Sequence, residues 1–216
     1  MRTFKELIAI LYPNFDKVDQ LWDFVQGAYS EPWRHYHNSN HITHCLKELE
    51  EVKKLLRFPL AAELAIWYHD IIYIPGSKLN EKMSAQVAAY NVQLMSVPEP
   101  VMTGLHLGTG LGLVNLIEGK PLPEQRGDWK YFRDIDYSIF AKSPDEYDEY
   151  VRNIYLEYLP VYSKNEIKQG RKLFLEKLLR KIFLTEYYRD LHGREAKENI
   201  KRELAESDKI TAEIGQ

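Results

Sequence analysis

One cysteine, Cys45, in 216 residues leaves no partner for an intrachain disulfide, so stability has to come from packing; such a chain suits a reducing cytoplasm. No apolar run approaches the roughly 20 residues that cross a bilayer. Lys5 and Glu6 interrupt the first apolar residues before a leader sequence can form. Neither charge dominates: the net value of -3 at pH 7 offers no basic field for nucleic acid or a membrane surface. Strand-like alternation is hard to find, and there is no internal repeat, low-complexity tract or separating linker. Gly108-Thr109-Gly110-Leu111-Gly112 is glycine-rich, but it follows no strand and lacks the spacing of a phosphate-cradling loop. These absences lead us to expect one soluble, cytoplasmic domain that binds neither membrane nor nucleic acid.

What is present is helical periodicity. With 44% hydrophobic residues the chain can bury a sizeable core. Leu7, Ile8, Ile10 and Leu11 make a first stripe that Pro13 stops. Asp16 is placed to cap a second helix ending near Gly27, and Asn38 or Ser39 a third reaching about Leu56. Leu60 to Tyr73 is apolar almost all round, as a central buried helix should be. Asn80 can cap a fifth helix to Met95; the glycines between Val101 and Leu116 suggest a broken one. Gly119 to Gly127 reads as a loop, Trp129 to Phe140 as a helix, and Pro144 to about Pro160 as another. A long periodic segment from Asn165 to about Leu191 precedes Gly193 and a final charged helix. The expectation is an all-α fold in a single domain, with a core over about 29–141 and C-terminal helices over about 144–210.

Four of the seven histidines, His35, His37, His41 and His44, fall within ten residues, and a fifth, His69, directly precedes Asp70. Imidazole and carboxylate donate lone pairs to divalent transition metals at neutral pH without a costly deprotonation. His41 and His44 share a face if the helix starts at Ser39; His37 joins them only if it starts earlier. His69-Asp70 lies in an apolar stretch where an unpaired carboxylate is expensive to bury. A metal ion supplies the missing countercharge, and a buried ion pair with an arginine is the alternative. Asp134-Ile135-Asp136 offers a further anchor. The pattern points to a mononuclear metal site that hydrolyses a phosphate ester.

These residues carry a resemblance. Tyr36-His37-Asn38-x-x-His41, then His69-Asp70, then Asp136-x-Ser138, is similar to the HD-domain metal-dependent phosphohydrolase superfamily, and cyclic-nucleotide phosphodiesterases share its opening motif. In more detail the chain resembles a bacterial family of predicted HD phosphohydrolases. That match takes in Tyr29-x-Glu31-Pro32-x-Arg34, Glu63 to Asp70, Asn80-Glu81-x-x-Ser84-Ala85, Asp134 to Ser138, and a tail with Arg171, Phe174-Leu175 and Glu195-Ala196-x-x-Asn199. The resemblance implies an HD-type helical bundle.

It also implies roles. His41, His69, Asp70 and Asp136 are the metal ligands, with Asp70 also counted among the catalytic residues. Asp134 either supports the ligands or caps a helix. The cofactor is one divalent ion, Mn, Fe, Co, Ni, Zn or Mg. His37 stands where the phosphodiesterases place the histidine that protonates the leaving oxygen, or else hydrogen-bonds a neighbouring ligand. Asn80 and Glu81 orient water or support the ligands, or cap a helix. Arg34 and Arg171 could meet phosphate oxygens, though solvated surface charge is the simpler reading of each. Cys45 reads as a small buried residue, and His44 and His192 as polar or core-satisfied histidines. A small phosphorylated substrate, for instance a nucleotide, is the implied partner. A nucleotide-sensing module without turnover and a structural scaffold are the alternative functions.

Overall fold

The computed structural model describes residues 1–95 and 111–213; His106 and the glycine-rich stretch from Gly104 to Gly110 lie outside them. Among the described residues every regular element is helical: α1 (Phe4–Leu11), α2 (Val18–Tyr29), α3 (Ser39–Val52), α4 (Pro59–Tyr68), α5 (Asn80–Met95), α6 (Leu111–Ile117), α7 (Arg126–Asp136), α8 (Pro144–Tyr158), α9 (Lys164–Leu178) and α10 (Glu186–Glu213). The all-α class expected from periodicity is the observed one. The chain divides into two compact units, Met1–Glu31 with His37–Phe132, and Pro32–Tyr36 with Arg133–Gln216.

In the first unit α4 is the buried element, packed against α1, α3, α5 and α6. Ala61, Ala62, Leu64, Ala65, Ile66 and Tyr68 are all buried, each large one contributing about 1.5–3 kcal/mol over exposure. Pro59 occupies the first turn of α4, where its missing N–H costs nothing. The segment leading into α4 is held from a distance: Asp128 accepts from the backbone N–H of Arg57 (3.0 Å) and Phe58 (2.6 Å). Glu63, buried mid-helix, pairs with Arg2 at 3.2 Å and Lys53 at 3.6 Å.

Several expectations in this unit need correction. On α1 the buried face is Phe4, Leu7, Ile8 and Leu11, while Ile10 points outward. Asp16 does not cap α2; its N-cap position is Lys17, with no side-chain bond, and the helix runs through Gly27 to Tyr29. Asn38 does cap α3, its Oδ1 accepting from Asn40 N–H at 2.8 Å. α4 stops at Tyr68 rather than Tyr73, because the backbone beyond it bonds to α5 side chains instead of continuing the helix. Of the glycine-bearing segment, Leu111–Ile117 is a regular helix.

The second unit is assembled from strongly capped helices. Ser143 with Glu146, and Ser163 with Glu166, close reciprocal capping boxes at the starts of α8 and α9. The expected single segment from Asn165 to Leu191 is broken between Leu178 and Glu186, and α10 then runs unbroken through Gly193. The cause is Asp134. Fully buried, it accepts from Leu184 N–H (2.8 Å), Thr185 N–H (2.7 Å) and Thr185 Oγ1 (2.7 Å), fixing the break and the start of α10.

Candidate metal centre

The centre is built in the first unit, where the start of α3 meets the end of α4. The Asn38 cap sets the helical phase so that His41 turns inward, 3% exposed, with Cys45 one turn below. His69 is the residue at which α4 ends, its N–H still bonded to Ala65 O at 2.9 Å. The Nδ1 of His69 lies 2.8 Å from Ile66 O, a carbonyl that only accepts, so the ring proton sits on Nδ1. With Nδ1 so engaged, Nε2 is the atom that faces the centre: it donates to Asp70 when the ring is cationic and offers its lone pair to a metal ion when the ring is neutral.

Three donor atoms meet there. The Nε2 atoms of His41 and His69 are 3.0 Å apart. Asp70 Oδ2 is 3.0 Å from His69 Nε2 and 3.5 Å from His41 Nε2. Burial by itself raises the pKa of the Asp70 carboxyl, but His69, hydrogen bonds from His41 and His69, and the nearby His37 outweigh it and hold the group well below the usual carboxylate range. An anion and two imidazole nitrogens this close need a proton or a cation among them. Donors about 2.1 Å from one ion stand about 3.0 Å apart at right angles and about 3.4 Å apart at tetrahedral angles, so separations of 3.0–3.5 Å suit a divalent ion without selecting its geometry.

The surroundings are specific. His37, just before α3 and half-buried, stacks on Tyr73 with ring centroids 4.0 Å apart and planes inclined by 23°. It also meets the His41 ring edge-on at 5.8 Å. Phe132 of α7 packs edge-on against His69 at 5.9 Å. Cys45 Sγ lies 3.7 Å from His41 Nε2, so this small buried residue packs directly on a candidate ligand. Asn80 opens α5, but its side chain brackets Ile74 rather than capping its own helix: Oδ1 accepts from Ile74 N–H at 3.1 Å and Nδ2 donates to Ile74 O at 2.9 Å. Glu81, next to it, is exposed.

The remaining sequence candidates fall in the second unit. Asp136, the last residue of α7, is half-buried. Asp134 anchors the turn before α10 as described, and the cap itself is Thr185, whose Oγ1 accepts from Tyr188 N–H at 3.3 Å. Neither arginine is the solvated charge expected: Arg34 is 5% exposed and Arg171 9%. Arg171 is committed to Glu203 through both Nε and Nη2 and lies over the Tyr150 ring at 4.9 Å. Sequence reasoning gave no role to Tyr73 or Phe132, and it named Ser84 only within the Asn80-Glu81-x-x-Ser84-Ala85 match; the four-residue spacing that puts Asn80 and Ser84 on one helix face was the available signal for Ser84.

No family model, curated protein or solved structure matches the chain. No helix among the described residues is long and apolar enough to cross a membrane.

Proposed function

We propose that this chain is a metal-dependent phosphohydrolase of the HD kind, cleaving a phosphate ester of a small molecule such as a nucleotide. The observation that carries the proposal is the convergence of His41 Nε2, His69 Nε2 and Asp70 Oδ2 at 3.0–3.5 Å. The resemblance of Asp136-x-Ser138 to the HD pattern adds Asp136, and the four residues would together hold one divalent ion. When bound, the ion acidifies a water and polarises a phosphoryl oxygen.

The chain's own residues do the rest. Asp70 remains anionic, His69 is locked in the tautomer that offers Nε2, and His37 stands beside His41 to hand a proton to the departing oxygen. A scaffold has no use for an acid in that position.

The test is metal analysis of the purified protein, then assays of phosphate mono- and diesters and nucleotides with Mn, Ni, Co and Mg. About one ion per chain and metal-dependent hydrolysis are expected. His69→Ala and Asp70→Ala should both lose the ion, and unchanged metal content in the two variants ends the assignment. Metal and nucleotide binding without turnover on any substrate would move the site to sensing.

A further inference from the structure

We propose that Tyr73, gripped from both sides by α5, is the positioning residue that fixes the His37 ring beside the metal ligands. Its catalytic consequence rests on the reading of His37 as proton donor; its structural content rests on geometry alone.

His37 precedes the Asn38 cap and so lies outside α3, and its half-buried ring packs on the Tyr73 face at 4.0 Å. Tyr73 in turn lies beyond the end of α4, in backbone that no helix holds. Here α5 substitutes side chains for a partner strand. Ser84 Oγ accepts from Ile72 N–H at 3.1 Å and lies 3.2 Å from Ile72 O, to which it can donate. Asn80 makes the corresponding pair of bonds to Ile74. The residues on either side of Tyr73 thus have their N–H and C=O groups bound, by two side chains one helical turn apart on α5. Both gripping residues are buried, Asn80 at 8% and Ser84 at 0%, and Tyr73 is itself 7% exposed. The linkage runs from the α5 face to residues 72 and 74, to the Tyr73 ring, to His37.

The placement matters because a proton donor works only within hydrogen-bond reach of the leaving oxygen, and a displacement of about 1 Å can cost about 10²-fold. A tyrosine that only filled the core would affect folding without singling out the proton-transfer step. Tyr73 is therefore tested by substrates that differ in their need for that step.

The experiment has two arms. In the first, histidine ring protons are followed by NMR on 13C-labelled protein, with the His37 signal assigned from His37→Ala. The stacked Tyr73 ring should shift that signal upfield; the shift should persist in Tyr73→Phe, vanish in Tyr73→Leu and diminish in Ser84→Ala. In the second, Tyr73→Leu should lower kcat up to about 10²-fold on an alkyl phosphate, whose leaving group needs a proton, and far less on an activated aryl phosphate. KM and metal content should hold, Tyr73→Phe should restore the rate, and Tyr73→Leu should add nothing in a His37→Ala background.

An unchanged His37 signal in Tyr73→Leu, equal losses on both substrates, or additive losses in the double variant overturns the inference. If Tyr73→Leu does not fold, Ser84→Ala loosens the same grip with the ring retained, and an unaltered His37 signal there overturns it. If the native protein hydrolyses nothing, the proposed function fails while the NMR arm still decides the positioning.

Discussion

His69 and the two late aspartates show how a side chain's partner decides its role. The carbonyl of Ile66 holds the His69 proton on Nδ1 and thereby aims Nε2 at His41 and Asp70. Asp134 and Asp136 are two residues apart and chemically identical, and the sequence alone left Asp134 open between supporting the ligands and capping a helix. Its three bonds to Leu184 and Thr185 commit it to anchoring the turn that leads into α10, where Thr185 is the capping residue. Asp134→Asn replaces one acceptor oxygen by an amide that cannot accept, leaving a buried donor unmet at a cost of about 1–3 kcal/mol. At roughly 2–4 °C per kcal/mol for a chain of this size, thermal unfolding should move down by several degrees while metal content holds. Asp136→Asn should instead sharply weaken metal affinity. Calorimetry paired with metal analysis reads both, and the reverse pattern would mean that the two carboxylates have been assigned to the wrong tasks.

Among the helices, what was legible in the sequence is what is decided locally. The Asn38 cap and the Pro144 start each depend on residues a few positions apart, and they stand where expected. The break before α10 was not legible, because Asp134 fixes it from 50 residues away in sequence. The end of α4 was missed likewise: Ser84 and Asn80 capture backbone that an apolar run would otherwise keep helical. The centre shares this division, since His37, His41, His69 and Asp70 stand out as residue types while Tyr73 and Phe132 look like ordinary core. Glycine gives a test. Gly193 lies inside α10, and a Cβ there meets nothing within 4 Å. Gly193→Ala should therefore stabilise the protein by about 0.5–1 kcal/mol. Gly119 ends α6 with φ +70 and a Cβ site 3.5 Å from Trp129 Nε1, so the same change there should destabilise. Melting temperatures of the two variants on opposite sides of the native value are expected; a loss at Gly193 would count against the continuous α10.

For the molecule as a whole, no disulfide is available, so an ion bound only by the folded chain should register directly in global stability. His41 sits on α3 while His69 and Asp70 follow α4, and the unfolded chain has no reason to bring them together. At a free metal concentration 100 times the dissociation constant, the linked stabilisation is about 2.7 kcal/mol, or roughly 5–10 °C in this size range. Melting should therefore rise on adding Mn, Ni or Co to chelator-treated protein and fall back with excess chelator. His69→Ala should melt at the same temperature with and without metal. The effect also has a direction with pH. The depressed pKa of Asp70 keeps it anionic in the mildly acidic range, whereas protons compete with metal for the imidazole nitrogens. The metal-dependent rise should thus shrink on acidification while the carboxylate stays charged. Identical melting curves with chelator and with saturating metal, at neutral pH, would remove the ion from this centre and the proposed hydrolase with it.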